Sequence, residues 1–137
     1  MGYLGHQANA YGCFFEQRLI GLCVYWHGER YAARNFWPLR SHEAKLVQIV
    51  VSPEMRGRGV ATALIEVSAR GMADCGFNTL YARIWHSNLP SIRAFQRAAW
   101  RRIALVAEIN PLRCARPIRL QWKTGGSQSP ASRAGEL

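Results

Sequence analysis

Val51-Ser52-Pro53-Glu54-Met55-Arg56-Gly57-Arg58-Gly59-Val60-Ala61 joins two stretches of opposite character. Before it, Ala44–Val51 is almost wholly apolar after Lys45, which predicts a central strand covered on both faces. After it, Ala61, Leu64, Ile65, Ser68 and Met72 recur at helical spacing. They predict a helix from Val60 to about Cys75, with Gly76 as its C′ residue. Two glycines therefore sit where a buried strand turns into a helix. The first-turn N–H groups of a helix lack intrahelical acceptors, and the helix dipole adds to their positive potential. Gly57 and Gly59 let a phosphate approach the backbone, and Arg56 and Arg58 add charge and paired donors. The pattern is neither the NTPase phosphate loop nor the dinucleotide fingerprint, and it contains no serine nucleophile elbow. The plain alternative is a basic turn with no ligand. The strand before it and the elements after it weaken that alternative.

Working outward, Thr79–Trp85 reads as a second strand. Strand, helix and strand within this span form a βαβ unit, so the two strands should be parallel with a right-handed crossover. Towards the N-terminus, Tyr11–Phe15 and Leu19–Trp26 are β-rich runs about Glu16-Gln17-Arg18, an antiparallel hairpin. The segment His27–Arg40 reads as a loop. Towards the C-terminus, Ser91 to about Ala99 is a short amphipathic helix capped by Ser91 or Asn88. Two more strands follow, Arg102–Ile109 and Pro117–Lys123, and Thr124–Leu137 reads as a disordered tail. The order β-β-β-α-β-α-β-β predicts an α/β fold with a mixed sheet of about six strands. One domain over residues 1–123 carries it, followed by the tail at 124–137.

Composition narrows the chemistry. A chain of 137 residues is one domain and too short for a barrel of eight β/α units, which needs roughly 250 residues. Lys and Arg total 18 against 8 Asp and Glu, a net charge of +10, and this points to anionic partners. Nucleic acid, a phosphorylated cofactor and a merely solvated basic surface all fit. Asp74 is the sole aspartate, so paired-aspartate metal chemistry is excluded. Cys13, Cys23, Cys75 and Cys114 show no metal-binding spacing and read as reduced thiols, although Cys13 and Cys23 can face each other across the hairpin. The four histidines are scattered. No signal peptide and no apolar run of about 18 residues is visible, so a cytoplasmic, non-membrane protein is expected.

Arg56-Gly57-Arg58-Gly59-Val60-Ala61 resembles Gln/Arg-x-x-Gly-x-Gly/Ala, the acyl-CoA pyrophosphate loop of the GNAT N-acetyltransferase superfamily. A second stretch, Asn88, Ser91, Ile92, Phe95, Arg97, Ala99 and Trp100, is similar to a further motif of that family at the right distance. The resemblance runs clearly from Ala44 to Trp100. It implies a mostly antiparallel sheet with a central parallel pair that splays to admit pantetheine. It also implies a short member that lacks the usual N-terminal strand and helices. On this resemblance, backbone at Ile49 and Val51 holds pantetheine, and the Val51 N–H is the oxyanion donor. The pyrophosphate would lie on the amides of Arg58, Gly59, Val60, Ala61 and Thr62, beside Arg56. Asn88, Ser91 and Phe95 would contact the cofactor.

The implied activity is acetyl transfer from acetyl-CoA to a primary amine by direct attack, with no metal. A proton must leave the amine, and Glu43, Glu54 and His86 are the candidate bases. Phe95 stands where the family often carries a tyrosine acid, so Ser87, Ser91, Tyr81 or water must substitute. Trp26, Trp37 and Trp85 either line an apolar acceptor pocket or fill the core. The expected partners are acyl-CoA and an amine-bearing small molecule or peptide, with no membrane and no nucleic acid. A homodimer partner, another subunit or the loop Tyr31–Trp37 would complete the acceptor site. The competing readings are a catalytically weak or inactive acyl-CoA-binding or protein-interaction domain of the same fold, and a nucleic-acid binder suggested only by charge.

Overall fold

The hairpin forms where two β-rich runs flank a two-residue turn. β1 (Ala8–Phe15) and β2 (Arg18–Trp26) pair antiparallel, closing with Phe15 against Arg18. In this computed structural model, which describes residues 2–33, 37–109 and 118–123, β3 (Glu43–Val51) lies antiparallel on the other side of β2. β4 (Thr79–Ala82) then pairs parallel with the start of β3, from Glu43 opposite Thr79 to Leu46 opposite Ala82. The sheet order is β1-β2-β3-β4. β5 (Ala104–Ile109) and β6 (Ile118–Lys123) make a separate two-stranded antiparallel sheet.

Among the described residues, the single six-stranded sheet is thus corrected to four strands plus two. The parallel pair is not central there, because β4 is an edge of the four-stranded sheet. The reason lies in what alternation encodes. Burial alternates from Leu80 through Ile84, and β4 was expected to reach Trp85, yet pairing stops at Ala82. Alternation reports which way a side chain faces, not whether a neighbouring strand is present. The stretch expected as loop also holds a five-residue helix, α1 (Gly28–Ala32), too short to show a helical period. The expected C-terminal tail lies outside the described residues.

α2 (Val60–Asp74) buries Leu64, Ile65, Ser68 and Met72, the face read from its sequence. They pack with Cys23, Tyr25, Leu46, Leu80 and residues of α3 (Leu89–Arg97) into the main core on one face of the sheet. Burying Ile65 or Met72 is worth roughly 1.5–3 kcal/mol each. A smaller cluster of Val24, Trp26 and Tyr31 lies on the other face, under α1. An N-terminal strap closes over it. Arg30 stacks on the Trp26 ring and donates to the carbonyls of Gly2, Leu4 and His6, while Trp26 Nε1 donates to the Tyr3 carbonyl at 2.8 Å. Further along that face, Phe14, Leu19 and Val50 stay exposed. Cys13, Cys23 and Cys75 are free thiols. The register sets Cys23 against Tyr11 and Cys13 against Gly21, so the first two are diagonal neighbours.

Candidate functional site

β3 outruns β4. Past Leu46 it continues to Val51, and among the described residues no strand pairs with its β4 side there. The direction of its backbone groups follows from one hydrogen bond. Ser52 N–H donates to the Ile20 carbonyl at 2.8 Å, so Ser52 and Val50 point at β2. Alternate residues of a strand direct their main-chain groups to opposite sides. Ile49 and Val51 therefore face the gap. A register break lies between Val24 and Tyr25, opposite Gln48 and Leu46. Val47 is the extra residue of this bulge, and it stands where the parallel pairing ends. Bulges re-aim backbone and side chains.

At its far end the gap meets the start of α2. Ser52 leads into a 3-10 turn at Pro53–Met55, where proline's missing N–H costs nothing. Arg56 Nε donates back to the Val51 carbonyl at 3.3 Å and fastens the turn to the strand. Gly57 and Gly59 hold φ of +74° and +80°, the left-handed region in which a side chain is strained. At neither does any heavy atom lie within 4 Å of the place a Cβ would take, so this backbone is open to a ligand. Gly59 caps α2 without a side chain, and Ala63 N–H makes the first helical bond, to Gly59, at 3.0 Å. The amides of Val60, Ala61 and Thr62 precede it and stand outside the helical ladder. Open glycine backbone, three such amides, Arg56 and Arg58 are the donor set an anionic diphosphate requires.

The structure thus brings Ile49 and Val51 together with Arg56, Arg58, Gly59, Val60, Ala61 and Thr62. It separates the proposed bases. Glu43 begins β3, about 26 Å of extended chain from Val51. Its carboxylate accepts from Tyr81 Oη at 2.9 Å and from Arg40 N–H at 2.8 Å. Glu54 lies beyond the other end of β3 and is paired with Arg18. His86 is exposed in the turn between β4 and α3. Asn88 caps α3, its Oδ1 accepting from Ser91 N–H at 3.4 Å. Ser91 is half-buried. Phe95 is core, edge-on to Trp100 with ring centroids 4.9 Å apart. Of the three tryptophans, Trp26 is core, Trp37 lies 5.7 Å from the Tyr81 ring, and Trp85 is 64% exposed under the Arg83 guanidinium.

Sequence reasoning missed two features near the gap. The bulge at Val47 has no local signal. Lys45, buried on the face opposite α2 with its ammonium 5.5 Å from the Tyr31 ring centroid, was visible only as the one charge in an apolar strand. Among the described residues no group of three or more His, Cys, Asp or Glu is placed to hold a metal ion, and no helix is long and apolar enough to cross a membrane.

A family model described as acetyltransferase (GNAT) family matches residues 3–100. Among solved structures, the chain is similar to an aminoglycoside N-acetyltransferase in complex with CoA, at 21% identity and a TM-score of 0.57, over 71% of this chain and 70% of that one. The ribosomal-protein-S18-alanine N-acetyltransferase from Escherichia coli matches at 16% identity and a TM-score of 0.59, over 93% of this chain and 77% of that one. An IAA acetyltransferase from Bacillus cereus matches at 17% identity and a TM-score of 0.59, over 86% of this chain and 79% of that one. At these identities the likeness is one of fold. No curated protein sequence matches the chain.

Proposed function

This chain belongs to the GNAT acetyltransferase family, and from that premise we propose that it moves an acetyl group from acetyl-CoA to a primary amine by direct attack. The observation that carries the reading is the one-sided strand, whose gap-facing groups at Ile49 and Val51 run straight into an open glycine turn at the start of α2. An extended pantetheine arm suits the former, because its amides can pair with β3 as a strand would. The diphosphate suits the amides from Arg58 to Thr62. The four steps from Val47 to Val51 span about 13 Å of extended chain. An arm anchored at α2 therefore brings its thioester towards the bulge. On this geometry the amides at the bulge are the candidate oxyanion donors, and Val51 N–H, at the other end of the span, pairs with the arm instead of taking the role the resemblance gives it.

In the reaction a neutral amine forms a C–N bond at the thioester carbonyl carbon. The C–S bond breaks, the thiolate leaves, and the amine's proton passes to a base or to water. Glu43 and Glu54 are engaged by Tyr81, Arg40 and Arg18, which leaves His86 as the favoured base. Asn88 and Ser91 contact the cofactor from the first turn of α3, and Phe95 supports them from below. Phe95 cannot donate a proton, so thiolate protonation falls to Ser87, Ser91, Tyr81 or solvent. That same phenylalanine favours the second reading, an acyl-CoA-binding domain with little or no turnover.

Titration calorimetry with acetyl-CoA tests the site. Gly59→Glu puts a side chain and a negative charge on the turn, and it should weaken binding at least tenfold. Undiminished binding would sink the phosphate-loop assignment. Thiol release from acetyl-CoA across a panel of amines separates enzyme from binder. A large fall in kcat with acetyl-CoA affinity unchanged in His86→Gln identifies the base, and an unchanged kcat rules it out.

A further inference from the structure

β1 is the outer strand of the four-stranded sheet, and among the described residues no strand pairs with its far side. His27 N–H donates to the Gln7 carbonyl at 3.1 Å, in step with the β1–β2 register. Main-chain groups alternate in direction along a strand. Those of Asn9, Tyr11 and Cys13 therefore point at β2, and those of Ala8, Ala10, Gly12 and Phe14 point away from it. The Ala8 N–H is already taken by the Gly5 carbonyl, at 3.2 Å. Ala10, Gly12 and Phe14 remain, and all three are exposed on the face opposite α2. Native sheets guard a free edge with charge, proline or a bulge in the edge strand. β1 uses none of these. Met1 to Phe15 contains no Asp, Glu, Lys, Arg or Pro, in a chain of net charge +10. The extra residue at the register break, Ile20, is on β2, so β1 keeps its alternation.

We propose that a second copy of this chain covers that edge, β1 against β1 in antiparallel pairing, about a two-fold axis beside Gly12. With the axis there, Ala10 faces the partner's Phe14, Gly12 faces the partner's Gly12, and Phe14 faces the partner's Ala10. Every free N–H and C=O of the three residues then finds its complement. The side chains fit the same register. Phe14 is 68% exposed, and its ring reaches within 3.1 Å of where a Cβ on its own Gly12 would sit. Across the axis it meets alanine and glycine, a large side chain against the two smallest. A patch that complements itself is what an isologous two-fold contact requires. Charge also selects this occupant. An acidic protein or a nucleic acid is drawn to the arginines, and β1 has none. Two copies of a chain at +10 repel least where each presents its longest charge-free stretch. The pairing joins two four-stranded sheets edge to edge. It leaves the β3–β4 gap of each copy on the far side of the sheet, so the partner does not complete the acceptor site.

Sedimentation velocity of the full chain, over about 1–100 μM, tests this. The unmodified protein should reach twice the 15.5 kDa of one chain and go no further. Phe14→Lys places like charges beside the axis and should weaken the dimer at least tenfold. Ala10→Pro removes an N–H that points away from β2, a place where an edge strand tolerates proline, and should weaken it by a similar factor. Circular dichroism checks that both variants are folded. If Ala10→Pro is not, Phe14→Lys decides, because its side chain already lies in solvent. Val67→Lys, at an exposed apolar residue of α2, should leave the dimer intact. Raising the salt to 0.5 M should tighten the dimer, because it screens the repulsion between copies and breaks no ion pair at the contact. A monomer at every concentration overturns the proposal, as does a species that grows beyond two chains. So does a dimer that folded Phe14→Lys or Ala10→Pro leaves as tight as before, one that Val67→Lys disrupts equally, or one that salt loosens.

Discussion

Ala99 closes α3 in a left-handed conformation, φ +66°, with Trp100 N–H donating to the Phe95 carbonyl at 2.9 Å and Ala99 N–H to Gln96 at 3.0 Å. This is a Schellman cap with alanine where glycine is favoured. Ala99→Gly should therefore stabilise the protein by about 0.5–1 kcal/mol, after the extra freedom glycine has when unfolded is subtracted. A higher urea midpoint checks this, and an unchanged one contradicts it. His27 is a second point of leverage. It is half-buried, bonds Asn9 Oδ1 at 3.2 Å and lies 4.8 Å from the Phe77 ring centroid. Burial, with the nearby His6 adding to it, holds its pKa below the usual histidine value. A base whose folded pKa is depressed resists protonation when folded. The stability it contributes is whole above about pH 6.5 and is lost as pH falls through the folded value. Urea midpoints at pH 7.5 and pH 5.5 should differ more for the unmodified protein than for His27→Gln. Burial also pushes the Cys23 thiol up to about 11, whereas Cys75 is exposed. In a native alkylation time course Cys75 should react and Cys23 should wait for unfolding.

At the scale of elements, the β1–β2 turn and the α2–β1 contact each rest on residue size. Glu16 and Gln17 both hold positive φ, 49° and 63°, where two-residue hairpins prefer Asn-Gly. The double change Glu16→Asn with Gln17→Gly should raise stability by about 1 kcal/mol in a urea titration. Gly71 works the other way. A Cβ there would sit 2.5 Å from Tyr11 Cε1, so Gly71→Ala should lower the midpoint despite alanine's better helix propensity. These contacts also show what a sequence can carry. The strand-to-helix turn was legible because its chemistry is local: an apolar run, a proline, two glycines and a helical period all lie between Ala44 and Met72. The buried stripe of α2 and the Asn88 cap were legible for the same reason. The split of the sheet was not, because alternation in β4 and β5 looks the same whether the two strands pair or diverge. The sequence offers Glu54 as a candidate base but cannot show that Arg18, 36 residues away, pairs with it. The bulge at Val47 needed the register of β2, and α1 is shorter than any period it can display.

Over the whole molecule, the main core lies under α2 and α3, and the opposite face is only partly covered. α1 and the N-terminal strap shield Val24 and Trp26, while Phe14, at 68% exposure, heads an apolar stretch with Leu19 and Val50 that stays in contact with solvent. Ligand binding at the β3 gap is linked to folding, since a ligand that binds only the folded state stabilises it in proportion to the logarithm of its concentration. Acetyl-CoA at 100 times its Kd should add about 2.7 kcal/mol and raise the melting temperature, and Gly59→Glu at the same ligand concentration should cut that shift by about half or more. The unpaired side of β3 has a colloidal consequence as well. Main-chain donors and acceptors along a strand edge are a template for any extended segment, including one from another copy. Self-association on warming should then track the supply of acetyl-CoA. Light scattering from a concentrated sample should rise earlier without the ligand than with it, so that the small molecule also acts as a solubility factor for this protein.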